Sequence, residues 1–182
     1  MKRHLLKLMM LFGILVLATQ AQAALITPGT DSPLTGNQTS QSAIDAYISS
    51  TLGSSVLLYK QDVGGPESGS LASSYQTTFS NSSSDPADAL IEYVGGNIVG
   101  PVAFLLVKDG NHTPAWYLFN LTTLGWDGME DLSLTGFWPN RGAISHVTLY
   151  GQTTSVPEAG AMLLFGTGLV GLVGYRRVRR MQ

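Results

Sequence analysis

Val102-Ala103-Phe104-Leu105-Leu106-Val107-Lys108-Asp109-Gly110-Asn111-His112-Thr113-Pro114-Ala115-Trp116-Tyr117-Leu118-Phe119 is the stretch that decides the fold class. Its first six residues are apolar without alternation, so a strand formed there buries both faces and belongs in the middle of a sheet. Asp109-Gly110 is a hairpin signal, because both residues tolerate the backbone conformations that a tight turn requires. The turn delivers Ala115–Phe119 as the antiparallel neighbour.

On either side the same pattern repeats. Short β-branched and aromatic runs occur at Val56–Gln61, Ser74–Phe79, Ala89–Val94, Val102–Lys108, Ala115–Leu121, Leu132–Leu134 and Ala143–Tyr150, with Gly64-Gly65-Pro66, Asp85-Pro86, Gly95-Gly96-Asn97 and Pro139-Asn140-Arg141-Gly142 among the breaks. Short strands separated by turn residues predict a mainly β fold, an antiparallel β-sandwich or jelly-roll-like domain, since parallel strands need helical crossovers. In the last run, Ile144 and Val147 fall out of strict alternation, which predicts a bulge near His146. Ile44, Tyr47, Ile48 and Leu52 keep helical spacing behind Ser42 as N-cap, with Gly53 as the stop, and predict one short N-terminal helix. The β domain is thus expected over 42–155. The Thr/Pro/Ser/Gly-rich lead over 24–41 is expected to be a flexible N-terminal segment.

Both ends of the chain have a different character. Lys2, Arg3 and Lys7 precede and enter an apolar run from Leu8 to Ala18, and Ala21-Gln22-Ala23 gives the small-x-small pattern of a secretory cleavage site. A signal peptide is expected over 1–23, cut after Ala23, which implies transient passage through the Sec translocon. At the other end stand Val156-Pro157-Glu158-Ala159, an apolar stretch over 159–175, and Arg176, Arg177, Arg179 and Arg180. About 17 residues of helix measure roughly 26 Å, near the lower limit for a membrane span. The arginines hold the extreme C-terminus on the cytoplasmic side of the inner membrane. Pro157 keeps the residue before it extended.

This box, span and basic cluster (156–182) resemble the PEP-CTERM sorting signal of exported proteins of Gram-negative bacteria. Ala159 stands where the family's second proline usually does. The resemblance implies recognition by an exosortase, a membrane-embedded cysteine transpeptidase, with cleavage near the box and release to the cell surface or extracellular matrix. Val107–Phe119, with Gly136-Phe137-Trp138 and Gly142–Val147, is similar to a domain that recurs in PEP-CTERM proteins. That similarity implies a surface or biofilm-matrix role and no assigned catalytic activity. An ordinary permanent membrane anchor is the alternative reading of the tail.

Composition narrows the function. The chain has no cysteine, so an exported domain here rests on its core rather than on disulfides. Seven of its ten Lys and Arg lie in the signal and tail, leaving Lys60, Lys108 and Arg141 in an acidic mature domain. Such a domain cannot neutralise a run of phosphates, and nucleic acid is excluded as a partner.

No Gly-x-Ser-x-Gly elbow, Walker loop or His-x-x-x-His spacing is present, and no catalytic residue, metal or cofactor is assigned. Asp109, Asn111 and His112 read as turn residues, and His112 and His146 as structural or surface histidines. Glu67, Asp85, Asp88, Glu130 and Asp131 leave open a hydrolase acting on polysaccharide, which would need two carboxyl groups facing a sugar bond. Trp116 and Tyr117 fall in a strand and read as core. Trp126 and Trp138 lie beside glycine and proline in loops, so they are expected to offer ring faces that stack on sugars, making exopolysaccharide a possible partner.

Overall fold

The computed structural model describes residues 23–53, 56–80, 85–109, 112–138 and 142–155. The expected signal peptide up to residue 22, the sorting box, the apolar span and the four terminal arginines lie outside the described residues. Among the described residues no helix is long and apolar enough to cross a membrane.

Strands β1 (Ala24–Ile26), β9 (Leu132–Leu134), β6 (Asp88–Tyr93) and β5 (Tyr75–Ser80) form one sheet in that spatial order. A second sheet runs β2 (Leu34–Gly36), β8 (Trp116–Asn120), β7 (Ile98–Lys108), β10 (His146–Thr154), β3 (Val56–Asp62), β4 (Glu67–Ser68). Every pairing is antiparallel except β1 with β9. The mainly β, antiparallel-rich character expected from the turn spacing is present.

From Ala103 to Lys108 strand β7 is buried on both faces, as its apolar run requires, whereas Val102, the first residue of that run, is exposed. Ala103, Leu105 and Val107 point between the sheets, where they meet Ile91, Leu132, Leu134, Phe119, Val147 and Leu149. Phe104 and Leu106 point the other way, into a second cluster with Trp116, Leu118 and Tyr150 beneath α1 (Gln41–Leu52). Ile44 and Ile48 supply the buried side of that helix. The molecule therefore has three layers: small sheet, large sheet and helix.

The hairpin partner of β7 is β8, in the register Lys108↔Trp116 to Phe104↔Asn120. The connection spans 109–115 rather than a two-residue turn, and Asp109 N donates to Ala115 O at its base.

Three further expectations are corrected. The lead over 24–41 contributes a strand to each sheet, through Ala24↔Leu132 and Gly36↔Trp116, and so is not a free arm. Gly36 is required there, because a Cβ would overlap the Trp116 ring. The helix cap is Ser40, whose hydroxyl accepts from Ala43 N at 3.3 Å, the spacing at which an N-cap side chain reaches a free amide. Gly53 ends the helix as expected. The bulge is not at His146: register shifts fall between Leu149 and Tyr150 against β3, and between Gly151 and Thr153 against β7. Ile144 precedes β10, its N–H bonded to Pro86 O.

Truncation of either face of β7 tests this layering. Leu105→Ala and Leu106→Ala should each lower unfolding free energy by about 2–5 kcal/mol in chemical denaturation. Only the second should also reduce the helical circular dichroism of the folded protein.

Candidate functional site

Register places the polar residues of the large sheet in one patch. His146 on β10 lies opposite both Asp62 on β3 and Lys108 on β7, and the next position on the same face, Thr148, lies opposite Lys60 and Leu106. Directly opposed residues share a face. Leu106 and Tyr150 belong to the cluster beneath α1, so this row lies on the helix side of the sheet. Lys60 and Lys108 are two of the three cations between residues 24 and 155, and both stand here.

Bonding within the patch is dense at its margins and sparse at its centre. Lys60 Nζ lies 2.8 and 2.9 Å from the two oxygens of Asp62. His146 Nδ1 lies 3.5 Å from Asp62 Oδ1, and Lys108 Nζ donates to Asp109 O at 2.8 Å. On the helix side, Gln41 Nε2 and Tyr150 OH both donate to Asp45 Oδ1 at 2.8 Å, and Gln41 Nε2 lies 3.0 Å from Tyr150 OH. His146 Nε2, Thr148 Oγ1 and Gln41 Oε1 are buried without a hydrogen-bond partner among the described residues.

The electrostatics follow from burial. His146 is pushed down to about 4, first by desolvation and then by the Lys60 charge, so its imidazole is neutral at physiological pH. Desolvation also lowers Lys108, opposed by Asp109. Tyr150 is raised, first by burial and then by its bond to Asp45. The patch is a polar seam on the helix side of the sheet, beside the apolar contacts that Ile44 and Ile48 make.

The remaining candidates are dispersed. Asp109 does more than turn the chain: its Oδ2 accepts from Ala143 N at 2.9 Å and lies 3.1 Å from His112 Nδ1, tying the 109–115 connection to the chain entering β10. Sequence spacing alone gave no signal for that long-range bond. Asp88 Oδ1 accepts from Gly136 N and Asp131 Oδ1 from Tyr93 N. Asp85 is exposed, Glu130 is half-buried, and Glu67 is exposed on the edge strand β4.

Trp116 is core as expected, and Tyr117 packs partly buried against the inter-sheet cluster. The tryptophans expected to face solvent do not. Trp126 and Trp138 are each only 8% exposed and belong to the inter-sheet core. Trp126 Nε1 donates to Glu130 O at 2.6 Å, and its ring neighbours Tyr75 at 6.2 Å. Trp138 Nε1 donates to Pro114 O at 3.0 Å, with Tyr117 5.2 Å and Phe137 5.7 Å away. Glycine-rich loops fold these rings inward over the sheet ends, so neither presents a face for a sugar.

Residues 155–180 match the PEP-CTERM protein-sorting motif, which implies export and a membrane-anchored precursor processed by an exosortase. The match begins at the residue after β10 ends. No curated protein and no solved structure matches the chain.

Two outcomes test the site. Unfolded histidine titrates near 6.5 whereas folded His146 titrates near 4, so between these values the unfolded chain binds the extra proton. Stability from this residue is complete above pH 6.5 and is lost as pH falls toward 4, by on the order of 3 kcal/mol. His146→Gln should flatten that part of the wild-type pH profile of denaturation midpoints. Trp126→Ala and Trp138→Ala should each destabilise the protein by about 3–5 kcal/mol, as core truncations do.

Proposed function

We propose that this chain is a noncatalytic protein of the cell surface or extracellular matrix, of the biofilm-associated kind, exported through Sec and released by an exosortase. The match of residues 155–180 to the sorting motif carries the reading. The ends of the fold support it. Removal of a signal peptide after Ala23 leaves β1 whole, and the Ala24 nitrogen bonds to Asp131 O at 2.7 Å. Cleavage at the box leaves β10, which ends at Thr154, equally whole.

An acidic, Ser/Thr-rich domain with three cations remains soluble among polyanions without clamping them. This composition supports a mature domain that resides among extracellular polysaccharide, with no sugar contact assigned to Trp126 or Trp138. Its core is large enough to dispense with disulfides, in keeping with the absence of cysteine.

Mass spectrometry of surface-extracted protein should find a chain that begins at Ala24 and lacks Arg176–Arg180. An intact C-terminus in the membrane fraction would make the tail a permanent anchor. Replacing Arg176, Arg177, Arg179 and Arg180 with glutamine should reduce membrane retention of the precursor, because their charge opposes translocation.

A further inference from the structure

Among the described residues, the last strand has two parts that are paired differently. From His146 to Gly151, β10 is paired on both sides, with β3 and with β7, and carries the buried residues Val147, Leu149 and Tyr150. Beyond Gly151 the described pairing is with β7 alone, through Thr153↔Val99 and Thr154↔Ile98.

The boundary between the parts is built in. Between Gly151↔Ala103 and Thr153↔Val99, one residue of β10 faces three of β7, Gly100, Pro101 and Val102. Pro101 has no N–H to give to a ladder. Gly151 lies so close to β7 that a Cβ would overlap Val102 O. Gln152, Thr153, Thr154 and Ser155 are all exposed, so lifting them uncovers none of their side chains from the core.

These residues run straight into the sorting motif, which begins at residue 155. With the strand docked, the chain from Thr154 to Pro157 reaches at most about 11 Å, little more than the roughly 10 Å spacing of two packed sheets. A peptidase that takes an extended strip must then work against the end of a folded sandwich. Lifting Gln152–Thr154 adds three residues, roughly 11 Å of reach.

We propose that Gln152–Thr154 is a detachable strap that peels from β7 at the bulge and lengthens the strip offered to the sorting peptidase while the sandwich stays folded. The inference rests on the sorting reading above and adds to it how the folded domain accommodates its own processing.

A cross-strand disulfide tests it in the full-length precursor, in membranes containing the peptidase. Ile98 and Thr154 are directly opposed, and the chain has no other cysteine, so Ile98→Cys with Thr154→Cys pins the strap reversibly. The oxidised pair should be processed at least tenfold more slowly than the reduced pair, with wild type insensitive to redox state. A four-residue Gly/Ser insertion between Ser155 and Val156 should restore processing of the oxidised form, by supplying the missing reach. Equal processing of oxidised and reduced forms would overturn the strap, as would slow processing that the insertion fails to rescue. Failure of wild-type processing would instead overturn the sorting reading. Ile98→Ser alone, processed at the wild-type rate, separates the pin from damage to the fold.

Discussion

A strand that is apolar on both faces must be covered twice, and the architecture follows from that requirement at β7. Leu105 and Val107 are covered by the four-stranded sheet, and Phe104 and Leu106 by the helix side, so one run of six residues sets the number of layers. At roughly 25 cal/mol per Å² of apolar surface removed from water, exposing either face of such a strand would cost several kcal/mol, a large share of the net stability of a domain this size. The helix has little amphipathic character of its own. It holds its place through Ile44, Ile48 and the hydrogen bonds of Gln41 and Asp45 to Tyr150.

What was legible in the sequence was whatever local pattern encodes. The burial of Ala103–Val107, the pairing of β7 with β8, strand β9 and the Gly53 stop all follow from periodicity and turn chemistry. Strands β1 and β2 were not legible, because three residues carry too little periodicity and their stability comes from distant partners on β9 and β8. The lower end of β7 was hidden by Gly100-Pro101, which reads as a break although the strand passes through it as a bulge. Trp126 and Trp138 misled for a related reason: glycine and proline beside an aromatic mark a loop, but a loop can fold its ring inward once a backbone carbonyl is available to the indole N–H. The sorting tail was the most legible part, since box, apolar run and charge act through composition and order rather than through folding.

The seam beneath α1 was invisible for the opposite reason. His146, Lys108, Asp62 and Lys60 are unremarkable where they stand in the chain, and only the register of three strands brings them together. A neutral buried imidazole beside a lysine–aspartate pair costs desolvation and returns orientation. It fixes how the helix side of the sheet is polarised, while the inter-sheet side remains almost wholly apolar.

The spatial order of the large sheet also bears on when it can exist. In the order β2-β8-β7-β10-β3-β4, the strand in fourth place is the last one synthesised. A chain that crosses a membrane N-terminus first delivers β2, β8 and β7 as one fragment and β3 with β4 as another, with nothing between them. Closure of the sheet, and with it the long-range contacts that make folding cooperative, waits for β10. Since the sorting motif begins at the next residue, completion of the fold and arrival of its membrane address are nearly one event in translocation.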